Sequence, residues 1–154
     1  MTPTVPAPAS SCRPRLVLDT NVVLDWLVFK DPSCAALGAA LVSGRVSWVA
    51  STAMRDELAH VLARGACHAW APDLPGLWSA WDRSANIVEP QPWPQPGSPR
   101  CTDPDDQKFI DLGLQVGASA LLSWDRAVLR CARRARVLGL NILTPRAWAL
   151  SWPD

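Results

Sequence analysis

Short runs of consecutive apolar residues alternate along this chain with longer segments of helical periodicity. Residues 16–18, 46–50, 86–88, 118–124 and 141–143 read as strands. Runs of this length between polar or turn residues suit strands buried on both faces. Residues 21–28, 34–42, 52–64, 74–84, 102–117, 126–134 and 145–152 read as helices. Ser33, Ser51 or Thr52, Asp103 and Thr144 supply side chains suited to N-caps, and Gly44, Gly65 and Gly139 supply stops. Strands alternating with helices imply βαβ crossovers and a parallel sheet. The expected fold class is therefore α/β, a central parallel sheet flanked by helices.

Against this pattern a few acids stand in costly places. Asp19 closes the first apolar run, and Asp125 closes the fourth through Ser123-Trp124-Asp125. A carboxylate at the end of a buried strand is expensive unless paired or bound to a metal. The carboxyl ends of parallel strands are also where α/β sheets bind ligands. On a helical wheel of about 100° per residue, Ala53, Met54, Leu58, Val61 and Leu62 form one apolar arc. Glu57 falls inside that arc and Asp56 outside it. In the 102–117 helix the buried side is marked by Phe109, Ile110, Leu112, Leu114 and Val116. Asp106 lies near the middle of that arc, Asp105 within it, Asp103 at its edge and Asp111 opposite. Acids in a first turn are favoured by the helix dipole, so this segment alone also reads as a capped helix start.

Composition changes the picture little. The 154 residues suffice for one domain with a substantial core, and 49% are hydrophobic. The net charge of +1 neither demands nor excludes a nucleic-acid partner. No apolar run approaches the ~18 residues of a membrane span. Residues 1–14 carry four prolines and no apolar segment, and read as a disordered Pro-rich tail ahead of a 15–152 domain. Residues 89–99 carry five prolines and read as a stiff, extended connection, with Trp93 packing back on the domain. The five cysteines form no metal-binding spacing, which fits free thiols in a cytoplasmic protein. His60 and His68 lack partners at metal or nucleophile spacing and read as surface or packing residues. Trp78 and Trp81 share a helix face, as core or as a homodimer contact.

Asp19, Glu57, Asp106 and Asp125 are thus four acids that one sheet edge can gather. Their mutual repulsion and desolvation are offset by a hard divalent cation, and carboxylate oxygens suit Mg²⁺ or Mn²⁺. Such ions activate water and neutralise phosphate charge in phosphodiester cleavage. The only regular cationic stripe is Arg126, Arg130 and Arg133, at i, i+4 and i+7 of the expected 126–134 helix. It is either a solvated face or a phosphate track.

With LDTNVVL at 18–24, RDEL at 55–58, DPDDQKF at 103–109 and SWD at 123–125, the chain resembles the PIN-domain ribonucleases over about residues 15–150. Within them it is most similar to toxin components of toxin–antitoxin pairs. The resemblance implies a PIN-like three-layer sandwich, Mg²⁺- or Mn²⁺-dependent endoribonuclease activity on RNA, and restraint by an antitoxin protein. It matches Asp19, Glu57, Asp106 and Asp125 to the acidic quartet of catalytic and metal-binding residues. Asn21 matches a residue that orients the first acid, Ser123 replaces a more frequent Thr, and Asp103 is a possible additional acid. Trp124 departs from the small or polar residue common there, which bears on substrate access. The rival functions are a metal-dependent nuclease acting on DNA and a non-catalytic binding module on the same fold.

Overall fold

The five strands form one parallel sheet in the order β3-β2-β1-β4-β5. The computed structural model describes residues 13–65, 67–91 and 98–152. β1 (Arg15–Leu18) lies at the centre, with β2 (Ser47–Ala50) and the edge strand β3 (Ala85–Ile87) on one side. β4 (Ala120–Leu122) and β5 (Asn141–Leu143) lie on the other. β2 and β4 are shorter than their apolar runs suggest, whereas β1, β3 and β5 match theirs to within a residue. Of residues 118–124, Ala118 and Ser119 lead into β4, and Ser123 and Trp124 carry the turn into the next helix.

Among the described residues there are eight α-helices, and they flank the sheet as a layered fold requires: α1 (Thr20–Leu27), α2 (Ala35–Val42), α3 (Thr52–Ala63), α4 (Leu74–Ser84), α5 (Gln107–Gln115), α6 (Arg126–Leu129), α7 (Ala132–Val137) and α8 (Pro145–Ser151). Leu16, Val17, Leu121 and Leu122 are fully buried between the layers, as strands covered on both faces should be. The tryptophans mostly serve this core. Trp26, Trp48 and Trp81 form an edge-to-face chain with centroid separations of 5.8 and 4.7 Å. Trp78 is half-buried beneath the Arg55 guanidinium, 4.2 Å from its ring centroid.

Several helix boundaries differ from the sequence expectation for local reasons. Asp31, not Ser33, caps the turn before α2: its carboxylate accepts from Ser33 N at 2.8 Å. The expected 126–134 helix is two helices, because the chain turns at Arg130-Cys131 before α7 begins. Residues Pro104–Asp106 form a 3-10 turn that feeds α5, with Asp103 as the cap accepting from Asp105 N at 3.0 Å. Gly117 ends this segment at φ +64, a conformation that a side chain would strain.

The ends of the described segments are tied down. Arg13 donates to Gly44 O at 3.1 Å, and Ser47 N donates to Pro14 O at 2.8 Å. Glu89 accepts from Thr52 N at 3.0 Å, and Gln91 exchanges two 3.0 Å bonds with the Gln115 amide. Residues 1–12, most of the expected tail, and Trp93 lie outside the described residues. No helix among those described is long and apolar enough to cross a membrane.

Candidate metal centre

The chain builds β1, β2 and β3 outward in one direction, then returns to place β4 against the other side of β1. The carboxyl ends of β1 and β4 therefore flank the point where the strand order reverses, the usual ligand crevice of such sheets. Leu18 pairs with Leu122, and Asp19 N donates to Leu122 O at 2.9 Å. This register sets Asp19 beside Ser123, one residue past each strand.

Asp19 occupies the N-cap position of α1, yet its side chain makes no capping bond. It is 3% exposed and accepts instead from Ser123 Oγ at 2.7 Å. The same hydroxyl accepts from Asp125 N at 2.9 Å, so one buried serine fixes both strand-end acids. Asn21 Oδ1 accepts from Trp124 N at 3.3 Å and holds the intervening residue to α1. Trp124 is half-buried against the core. Burial pushes the Asp19 carboxyl up to about 6, opposed by Ser123 and the Thr20 backbone and helped by the charges of Glu57 and Asp125.

Asp106 and Asp103 reach the crevice from the turn before α5. One carboxylate oxygen from each of Asp103, Asp106 and Asp125 lies within 4.8 Å of the others. Asp125 also caps α6, accepting from Ala127 N at 2.8 Å. Asp106 is 9% exposed, and its Oδ2 is buried with no hydrogen-bond partner among the described residues. Burial pushes its carboxyl up to about 7, and the charges of Asp19, Asp125 and Asp103 add to the rise. Three converging carboxylates, one of them with a buried oxygen that meets no donor among the described residues, make the donor set of a hard divalent cation. The residues present fit such an ion.

Glu57 stands apart in its bonding. On α3 the fully buried stripe is Met54, Leu58 and Leu62, while Glu57 and Val61 flank it half-buried and Ala53 is exposed. Glu57 Oε2 accepts from the Thr20 hydroxyl, and Oε1 pairs with Lys108 Nζ at 2.5 Å. Lys108 Nζ also donates to the Asp105 carbonyl. Sequence reasoning overlooked Thr20 and Lys108. Nothing local links positions 57 and 108; the one available signal was an acid on an apolar helix stripe, which needs a counter-charge.

A cleft of about 450 Å³ opens over this edge, lined by Asp56, Glu57, His60, Arg64, Asp103 and Asp106 among others. Asp56 is exposed at its rim. Asp105 is exposed, although the wheel counted it in the buried arc, because the 3-10 turn changes the phase there. Asp111, expected in solvent, is half-buried and accepts from Gln107 Nε2 at 3.0 Å. Asp25 is half-buried on α1, its carboxyl raised by burial and then by the charge of Asp31. Arg126, Arg130 and Arg133 are exposed, but the turn at Arg130-Cys131 breaks the single helical face that their spacing implied.

The family model described as PIN domain matches residues 15–127, which include β1 to β4 and every acid named above. No curated protein and no solved structure matches the chain. PIN domains are generally metal-dependent nucleases, and the acidic cluster fits metal binding.

Proposed function

The chain belongs to the PIN-domain family, and from that premise we propose that it is an endoribonuclease dependent on Mg²⁺ or Mn²⁺. The observation that carries the reading is the Asp106 carboxylate: one of its oxygens lies within 4.8 Å of oxygens of Asp103 and Asp125, and its Oδ2 is buried without a partner among the described residues. Asp19, Asp103, Asp106 and Asp125 are the residues that would hold the ion. Bound there, it would lower the pKa of a water and neutralise charge developing on the phosphoryl oxygens.

The chain's own residues do the rest. Ser123 fixes the Asp19 carboxylate and the Asp125 backbone in one orientation, and Asn21 secures the residue between them. A carboxylate at this crevice accepts the proton of the attacking water. Arg126 directly follows Asp125, and with the exposed Arg130 and Arg133 it offers cations for the flanking phosphates.

The choice of RNA, and of a toxin held in check by an antitoxin, rests on the likeness of LDTNVVL, DPDDQKF and SWD to toxin ribonucleases. The protein partner and the homodimer rest on that same likeness. Four buried cysteines that stay free support a cytoplasmic setting. The test is cleavage of matched single-stranded RNA and DNA in Mg²⁺, Mn²⁺ and EDTA. Cleavage of RNA that EDTA abolishes supports the reading. Cleavage of DNA alone, or cleavage unaffected by EDTA, refutes it.

A further inference from the structure

We propose that Lys108 is the second cation of this centre: its ammonium occupies the Glu57 corner, so that the site takes one divalent ion and not two. The inference rests on the metal-dependent reading above and assigns Glu57 to a positioning role.

The number of ions depends on which carboxylate oxygens are free. Two-metal phosphodiester sites hold their ions about 3.5–4 Å apart and need enough carboxylates to offset two adjacent double charges. Here Asp103, Asp106 and Asp125 converge, and Asp19 borders them through Ser123. The remaining acid on the inner face of the cleft is Glu57, and both its oxygens are engaged. Thr20 Oγ donates to Oε2, and Lys108 Nζ donates to Oε1 at 2.5 Å. Lys108 and Glu57 side chains are each 27% exposed, so the pair is partly shielded from water and its hydrogen bond is charge-assisted.

Lys108 is held as well as paired. The Asp105 carbonyl accepts from the same ammonium, and the Phe109 ring centroid lies 4.9 Å from Nζ. An ammonium has three N–H groups. Two are committed, and the third has no partner among the described residues. Glu57, the partner of Lys108, lines the cleft, and the free N–H of the ammonium can serve a phosphoryl oxygen of a substrate that reaches this corner. Lysine suits this task because it presents a compact point charge, as a metal ion would. The residue also stands two positions after Asp106, so the turn that delivers a metal-holding carboxylate delivers the fixed cation with it.

The experiment counts Mn²⁺ on the full chain by calorimetry and by electron paramagnetic resonance. The wild type should bind one ion. Glu57→Gln should bind one with affinity changed less than about 3-fold, well below the 10–100-fold typical even of residues that only support a metal ligand. Lys108→Met frees Glu57 and should add a second, weaker ion, while Lys108→Arg retains a cation and should stay at one. Cleavage should fall in Lys108→Met and recover in part in Lys108→Arg, with circular dichroism establishing that each variant is folded. Two ions on the wild type, with one lost in Glu57→Gln, overturn the proposal. So does a single ion on Lys108→Met. No Mn²⁺ on the wild type would overturn the metal reading itself. RNA left uncut while one ion binds would overturn only the ribonuclease assignment.

Discussion

Two corners of one cleft treat carboxylates in opposite ways. At the Glu57 corner every carboxylate oxygen meets a donor, one from Thr20 and one from Lys108. At the Asp106 corner three carboxylates approach one another, and one buried oxygen meets none. Both corners are partly withdrawn from water, so the difference lies in counter-charge. The first corner is complete as folded, whereas the second carries an electrostatic cost that a cation would offset. Strain of this sort persists where function needs it.

The largest way to break that contrast is Asp106→Asn. It keeps the shape and removes one charge from the unpaired corner. RNA cleavage should drop by at least ~100-fold, beyond the loss typical of residues that merely support metal ligands. In EDTA the variant should melt higher than the wild type. Relief of about 1 kcal/mol corresponds to about 2–4 °C for a chain of this size. It should also lose most of the Mg²⁺-induced rise, which for the wild type reaches about 2.7 kcal/mol at one hundred times Kd. A lower melting temperature in EDTA would mark Asp106 as a helix-start residue and erase the distinction between the corners.

Ser123→Ala tests the link between the strand-end acids. The hydroxyl is fully buried and serves two partners, so its loss leaves the Asp19 carboxylate and the Asp125 N–H each short of a bond. A destabilisation of about 1–3 kcal/mol is expected, with a 10–100-fold fall in kcat. Ser123→Thr keeps the hydroxyl and should restore much of the activity. Equal activity in Ser123→Ala and the wild type would show that Asp19 needs no such anchor.

Replacing Arg126, Arg130 and Arg133 together by Ala should raise KM and leave kcat nearly unchanged. The slope of log K against log salt should flatten by about 0.7 for each phosphate of a single strand that the protein ceases to neutralise. An unchanged slope would make these arginines a solvated face.

The pH dependence follows from the raised acids. Asp19 is pushed up to about 6 and Asp106 up to about 7, both above the ordinary Asp value of 3.8. Between those limits the folded protein holds more protons than the unfolded chain. Their contribution to metal-free stability is therefore full below about pH 4 and lost as pH rises through about 6–7. Metal binding runs the other way, since the ligands must be deprotonated. Melting scans at several pH values should show a Mg²⁺-induced rise that is small at about pH 5 and grows toward about pH 8. A rise independent of pH would mean that these carboxyls are not the ligands.

Much of this centre was legible in the sequence, and the limits are physical. Asp19 and Asp125 announced themselves because a charge ending an apolar run has few cheap explanations. The parallel sheet followed from alternation of strands and helices. Helix phase was read closely where a helix is regular, as in α3, where Ala53 alone of the expected arc is exposed, and badly where it is not. The 3-10 turn at Pro104–Asp106 moved Asp105 into solvent, and the break at Arg130-Cys131 split the arginine stripe. Lys108 escaped notice because its partner is 51 positions away. Pairings across that distance are set by tertiary packing, which no local pattern records.

The smallest effects sharpen the comparison by showing what an ordinary acid does. Asp56 is exposed at the rim of the cleft, with no hydrogen bond to break among the described residues. Asp56→Ala should change stability by no more than about 0.5 kcal/mol and leave cleavage intact. Asp111 is also outside the centre but is not free. It accepts from Gln107, whose side chain also donates to Pro99 O at 2.9 Å and accepts from Cys101 N at 2.7 Å. Asp111→Ala should therefore cost about 0.5–1.5 kcal/mol, through looser anchoring of the segment that leads into the Asp103 turn. Its kcat in saturating Mg²⁺ should match the wild type, and its melting temperature in EDTA should fall where that of Asp106→Asn rises. Opposite signs for these two aspartates of one segment would separate a carboxylate that completes a hydrogen-bond network from one that awaits a cation. If both variants melt higher in EDTA, general relief of negative charge explains the gain, and the Asp106 corner loses its special standing.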